Sequence, residues 1–186
     1  MKREDYALVL DYLPYGKSGE AVKEPLAIVL GDSQFTLLEV VLKPGLKVDL
    51  FEKIYIGSDS RDKVDHIKQR IEYSHLTSGA SRELDDAVKL IVKTKEAEFV
   101  NFLNKAGSLS IRSHSLEQLP SIGKKHLSAL LTAREKTPFT SFEDVQKRVP
   151  HLINVEDIFV QRIVSELKGG EKYFLFTKPP RREERY

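Results

Sequence analysis

Apolar residues recur with period two through the first 57 positions. Tyr6, Leu8, Leu10 and Tyr12 alternate with Ala7, Val9 and Asp11. Residues 26–30 form a short apolar run ending at Gly31-Asp32, residues 35–43 a longer one ending at Pro44-Gly45, and residues 53–56 alternate again before Gly57. Short alternating runs bounded by turn residues predict half-buried strands, and several in succession predict a small β-barrel over residues 1–57. Period two places Leu38, Val40 and Leu42 on one face with Ile54 and Ile56, and Glu39, Lys43, Lys53 and Tyr55 on the other.

From residue 58 the period becomes helical. Asp59 or Ser60 is suited to cap a helix with the apolar stripe Val64, Ile67 and Ile71, while Lys63, His66 and Arg70 line a different face. A longer helix is predicted over residues 81–105, with Leu84, Val88, Ile91, Phe99, Phe102 and Leu103 inward and Gly107 just past its end. Residues 58–107 therefore read as a helical connector, with a domain boundary near 106–113. Residues 108–170 read as short helices with turns at Pro120, Gly123, Pro138 and Pro150, closed by Gly169-Gly170. A last strand is expected at 173–177, and the charged tail through residue 186 is expected to be disordered.

Charge separates the two halves. The chain has 186 residues with 30 Lys or Arg and 28 Asp or Glu, too balanced for a uniformly basic coat. Residues 1–100 hold 15 basic against 18 acidic side chains, net −3, and residues 101–186 hold 15 against 10, net +5. The C-terminal half is thus the better partner for an anion. No cysteine is present, which excludes disulfides and thiolate metal sites, and the five histidines show no pair at ligand spacing. No cofactor or metal is expected. No apolar run approaches the ~20 residues that span a bilayer, and the start Met1-Lys2-Arg3-Glu4-Asp5 does not lead into a signal-peptide apolar stretch. A cytoplasmic location and no membrane contact are expected.

The most specific motif runs from Leu116 through Leu119-Pro120-Ser121-Ile122-Gly123-Lys124-Lys125 to Leu127, Leu130, Leu131 and Arg134. It describes a helix, a tight turn and a second helix that opens with two lysines, the pattern of a helix-hairpin-helix. A helix N-terminus presents unpaired N–H groups and the positive end of the macrodipole, so a phosphate can settle on the backbone of Ile122 and Gly123 while Lys124 and Lys125 add charge. Glycine at 123 allows a positive φ and lets backbone approach backbone. A second copy follows in Pro138-Phe139, Ser141-Phe142 with Asp144 as an approximate capping box, and Val149-Pro150-His151-Leu152. Its turn lacks glycine and its next helix opens with Glu156-Asp157, so it reads as a structural mate of the first. Lys53, Tyr55, Arg61 and Lys63 form a second candidate surface on the barrel, interleaved with Asp62 and Asp65. Gly16-Lys17-Ser18 fails as a phosphate-binding P-loop because the required upstream glycine is Asp11. Adjacent carboxylates such as Asp85-Asp86 diverge on a helix, and no Ser-His-Asp set is evident. An enzyme is not expected.

The strings Asp5-Tyr6-Ala7, Val9-Leu10-Asp11-Tyr12-Leu13-Pro14-Tyr15-Gly16, Phe35-Thr36-Leu37-Leu38-Glu39-Val40, Lys53-Ile54-Tyr55-Ile56-Gly57 with Arg61-Asp62-Lys63, and Asn104-Lys105-Ala106-Gly107 resemble an archaeal family, domain of unknown function six-five-five. The resemblance runs from Tyr6 to Phe176. It implies an α+β multidomain protein, a small OB-like β-barrel followed by an all-α tandem helix-hairpin-helix domain, in an archaeal cytoplasm. Families of this kind are described as RNA-binding, and no catalytic residues carry over. The expected function is non-enzymatic nucleic-acid binding, RNA preferred, through the phosphate backbone, with the ribosome or RNA-processing proteins as partners. The alternatives are a protein-interaction adaptor and a DNA-binding accessory of repair or nuclease action.

Overall fold

The computed structural model describes residues 3–180. The chain divides into two compact units, Met1–Ala87 with Glu166–Tyr186, and Val88–Ser165. The divisions fall inside helices, at 87/88 and 165/166, and not at the expected linker near 106–113.

The first unit is built on an antiparallel sheet of β1 (Tyr6–Leu13), β2 (Leu26–Gly31), β3 (Leu37–Leu42), β4 (Lys53–Tyr55) and β5 (Val64–Arg70), in the order β4-β1-β2-β3-β5. Leu38, Val40, Leu42, Ile54 and Ile56 share one buried cluster with Ala7, Val9, Ala27, Val29 and Val64, as period two requires. Among the described residues β4 and β5 do not pair, so the sheet is a curled half-barrel. The opposite face of β3, to which period two assigns Glu39, is buried as well, and Glu39 is 0% exposed. Its carboxylate meets Lys17 Nζ and accepts from Gln69 Nε2 at 2.7 Å.

The helix expected around Val64, Ile67 and Ile71 is strand β5. Its register against β3 pairs Leu42 with Val64, Val40 with Ile67 and Leu38 with Arg70, with irregularities that skip Asp65 and Lys68. Each extra residue converts the strand's repeat of two into a repeat of three on the inner face. That spacing imitates a helical stripe, so the residues 58–107 are not an all-helical connector.

The turn after β2 is held by Glu4, 7% exposed, which accepts from the N–H groups of Ser33 and Gln34 at 2.8 Å and of Thr36 at 3.2 Å. Helix α1 (Ser78–Thr94) is capped by Thr77, whose hydroxyl accepts from Ala80 N–H at 3.1 Å and donates to Asp11 at 2.6 Å. The single long helix of the sequence reading is broken at Lys95 (φ −106°, ψ 28°), and α2 (Glu96–Lys105) begins there. Thr94 donates back to Leu90 O at 2.7 Å, a bond that bends helices, and Glu96 and Glu98 favour a fresh N-terminus.

The second unit adds a short ribbon, β6 (Ser108–Ser110) with β7 (Ser113–His114), then α3 (Lys124–Lys136), α4 (Phe142–Arg148) and α5 (Val155–Lys168), the last continuing into the first unit. Phe159 on α5 lies 5.0 Å from Phe99, 6.1 Å from Phe102 and 5.7 Å from Phe142 between ring centroids. The strand expected at 173–177 does not form. The N–H groups of Leu175, Phe176 and Thr177 go to the Glu166 carboxylate and are not available to a ladder. Residues 181–186 of the expected tail lie outside the described residues.

Candidate nucleic-acid interface

Two similar turns organise the second unit. In the first, Ile122 N–H donates to Leu119 O at 3.3 Å, with Pro120 and then Ser121 at φ 65° between them. In the second, Leu152 N–H donates to Val149 O at 3.4 Å around Pro150 and His151 at φ 62°. Proline followed by a positive φ is the type II turn. The left-handed residue is therefore Ser121, and Gly123 is not, being extended at φ −97° and ψ −169°. A Cβ at Gly123 would meet nothing within 4 Å, so the glycine is not required there by crowding or backbone strain. The element before the first turn is one turn of 3-10 helix, Ser115–Gln118, in place of the full helix expected.

Helix α3 starts at Lys124 with Gly123 as its N-cap. Gly123 provides no side-chain cap and no acidic residue stands in the first turn, whereas α4 is capped by Ser141 with Glu143 and Asp144 behind it and α5 opens with Glu156 and Asp157. The start of α3 is thus the one of these three left electropositive. The two lysines there are not equivalent. Lys124 pairs with Glu117, and this ammonium, with the N–H of His114, holds the Glu117 carboxyl below its ordinary value. Lys125 is exposed and has no ion pair among the described residues. It stands at one end of a shallow depression of about 620 Å³ along α3, floored by Ser128, Ala129, Thr132 and Ala133, with Lys136 at the other end. Eleven residues at 1.5 Å separate the two lysines, about 16 Å. This unit carries 12 Lys or Arg against 8 Asp or Glu, net +4.

Other predicted site residues serve the fold. Ile122 is 7% exposed and packs inward. Arg134 donates to Leu103 O at 3.0 Å and Ala106 O at 2.7 Å, closing the end of α2. Arg148 does the same for α3 through Ala133 O and Thr137 O, and Arg162 reaches Gln118 O at 2.8 Å. Cations are suited to such carbonyl ends, but arginine at these positions is indistinguishable in sequence from a phosphate ligand. In the first unit Lys53 pairs with Asp32 at 3.1 Å and lies over the Tyr6 ring, and Tyr55 hydroxyl contacts Asp59 at 3.2 Å. Lys63 pairs with Glu52, whereas Arg61 is anchored, among the described residues, only through Nε, which donates to Gly57 O at 2.8 Å. Lys136 was missed by the sequence reading, although its spacing from Lys125 on one helix could have found it. Among the described residues no three His, Asp or Glu side chains converge as metal ligands, and no helix is long and apolar enough to cross a membrane.

His114 precedes the first hairpin, and its Nδ1 accepts from Leu116 N–H at 3.1 Å, which requires the neutral ring. Burial first, and the Arg134 guanidinium second, lower its pKa from 6.5, with Glu117 opposing. The unfolded chain takes up this proton before the folded one, so the contribution is present above the unfolded value and declines as pH falls toward the folded one. His114→Asn keeps a cap without titrating. Urea unfolding from about pH 7.5 to about pH 5.5 should show the variant losing less stability than the parent. Equal losses would show that His114 does not titrate with folding.

Sheet and helices together define an α+β protein with an antiparallel half-barrel unit and a helical unit. The chain belongs to DUF655, a family of proteins of unknown function, whose model matches residues 3–178. It is similar to the uncharacterised protein MJ0038 of Methanocaldococcus jannaschii, 41% identical over 179 residues, which span 95% of this chain and 81% of that protein. The crystal structure of Af1531 from Archaeoglobus fulgidus, of the same family, matches with a TM-score of 0.86 at 42% identity, over 94% of this chain and 100% of that one.

Proposed function

We propose that this is a non-enzymatic, cytoplasmic nucleic-acid-binding protein, RNA preferred, with an OB-like half-barrel and a tandem helix-hairpin-helix. The phosphate backbone lies along α3. The single observation that carries this reading is the start of α3, uncapped by any side chain and with no acidic residue in its first turn, with Lys125 beside it unpaired among the described residues. The small residues between Lys125 and Lys136 let a sugar-phosphate chain approach the helix closely. Such contacts position a nucleic acid without reading bases.

The test is a salt titration of binding to an RNA duplex and to a single strand. Each neutralised phosphate contributes a log-log slope of about −0.9 on duplex DNA and about −0.7 on single strands. Lys125→Ala with Lys136→Ala should weaken binding about equally across sequences and flatten the slope by roughly 1.4 to 1.8. Lys124→Ala should do less, because Glu117 already takes that charge, and Glu156→Lys with Asp157→Lys should strengthen binding if the second turn also faces the backbone. Unchanged affinity and slope in the folded double variant would remove the reading and favour a protein-interaction adaptor.

A further inference from the structure

Among the described residues the half-barrel is open between β4 and β5, and a cleft of about 440 Å³ is lined by residues at that opening. That volume lies in the range of small-molecule sites, about 300–1,000 Å³. Its floor is the inner face of the sheet: Leu38 of β3, Ile67 of β5, and Ile56 just after β4. Ile67 shares this inner face with Leu38 and Val64 yet is 37% exposed, so the apolar interior is unfilled at this end.

Polar groups converge on the same space. Arg61 is fixed by its Nε–H bond to Gly57 O, and its two terminal nitrogens have no partner among the described residues. The repeat of three on β5 puts Arg70 on the inner face opposite Leu38, where its guanidinium donates to Lys178 O and Pro179 O at 3.0 Å, and Arg3 and Lys178 also line the cleft. Thr36 Oγ1 is buried on the wall without a hydrogen-bond partner among the described residues. Two carboxylates face the cations. Glu4 is committed to three backbone N–H groups, and Asp5 is exposed.

We infer that this cleft binds a mononucleotide, its phosphate on the Arg61 guanidinium and its base on Leu38, Ile56 and Ile67, with the Thr36 hydroxyl meeting a polar edge of the ligand. Guanidinium is the side chain suited to bidentate phosphate recognition. A flat base has an apolar face for the floor and a hydrogen-bonding rim for Thr36. The ligand is either a free nucleotide or the phosphorylated terminal nucleotide of a strand. The site lies in the first unit and stands even if α3 binds no backbone.

The test titrates full-length protein with AMP, UMP, adenosine and inorganic phosphate by calorimetry, with amide NMR spectra to locate the response. Saturable one-to-one binding of AMP or UMP is expected, tighter than adenosine or phosphate alone. Arg61→Ala should weaken it about tenfold or more, and Thr36→Val, which keeps the shape, should weaken it less. Lys125→Ala with Lys136→Ala should leave the titration unchanged, which separates this site from α3. Competition of AMP by a 5′-phosphorylated oligonucleotide but not by its 5′-hydroxyl form assigns the terminal nucleotide, and no competition by either assigns the free one. Failure of both nucleotides to bind, or binding unaltered by Arg61→Ala in a protein with native spectra, overturns the inference.

Discussion

Glu166→Ala is expected to destabilise the protein by about 3–5 kcal/mol, since hydrogen bonds to a buried charged group contribute about 1.5–3 kcal/mol each and several are lost together. Glu166 is 2% exposed and accepts from the N–H groups of Leu175 at 2.8 Å, Phe176 at 3.1 Å and Thr177 at 3.0 Å, and from the Thr177 hydroxyl at 3.1 Å. One carboxylate therefore does for residues 175–177 what a neighbouring strand would do for a ladder. Alanine leaves these donors without acceptors, at about 1–3 kcal/mol for each that stays buried. Glu166→Gln keeps the volume but turns an NH2 toward donors, so it should recover little. Urea unfolding measures the loss, and amide hydrogen exchange at 175–177 should rise more than in the sheet. A loss under about 1 kcal/mol would show that water replaces the carboxylate readily.

Phe159→Ala is expected to cost a similar 3–5 kcal/mol by a different route, a cavity at the centre of the helical unit. Phe159 is 0% exposed and meets rings from α2 and α4, pairs that add about 0.5–1.5 kcal/mol each beyond burial. Three elements lose a shared contact at once. Phe159→Leu preserves most of the volume and should cost less than half as much. Equal losses for the two variants would mean that ring geometry, not cavity volume, dominates.

The alternating runs by themselves specified the inner face of the half-barrel, because Leu38, Val40, Leu42, Ile54 and Ile56 need only a local period to be sorted. Turns at Pro120 and Pro150 were legible because proline sets its own φ, but the left-handed residues Ser121 and His151 that follow were not, since proline in this position suits type I and type II turns alike. Strand β5 was not. Its repeat of three arises from bulges against β3, a property of the pairing and not of the segment. The interior carboxylates Glu4, Glu39 and Glu166 look like surface residues in sequence, and only the donors that the fold brings from residues 33–36, 17 and 69, and 175–177 make their burial affordable. At the candidate interface the sequence marked the start of α3 and could not rank its cations. Tertiary structure decided that Lys124 is taken by Glu117 and Arg134 by the end of α2, while Lys125 is left to solvent. Where strand pairing is regular, local spacing determines which face a side chain shares. What charge remains available to a ligand depends on partners distant in sequence, which only the folded chain brings within hydrogen-bonding distance.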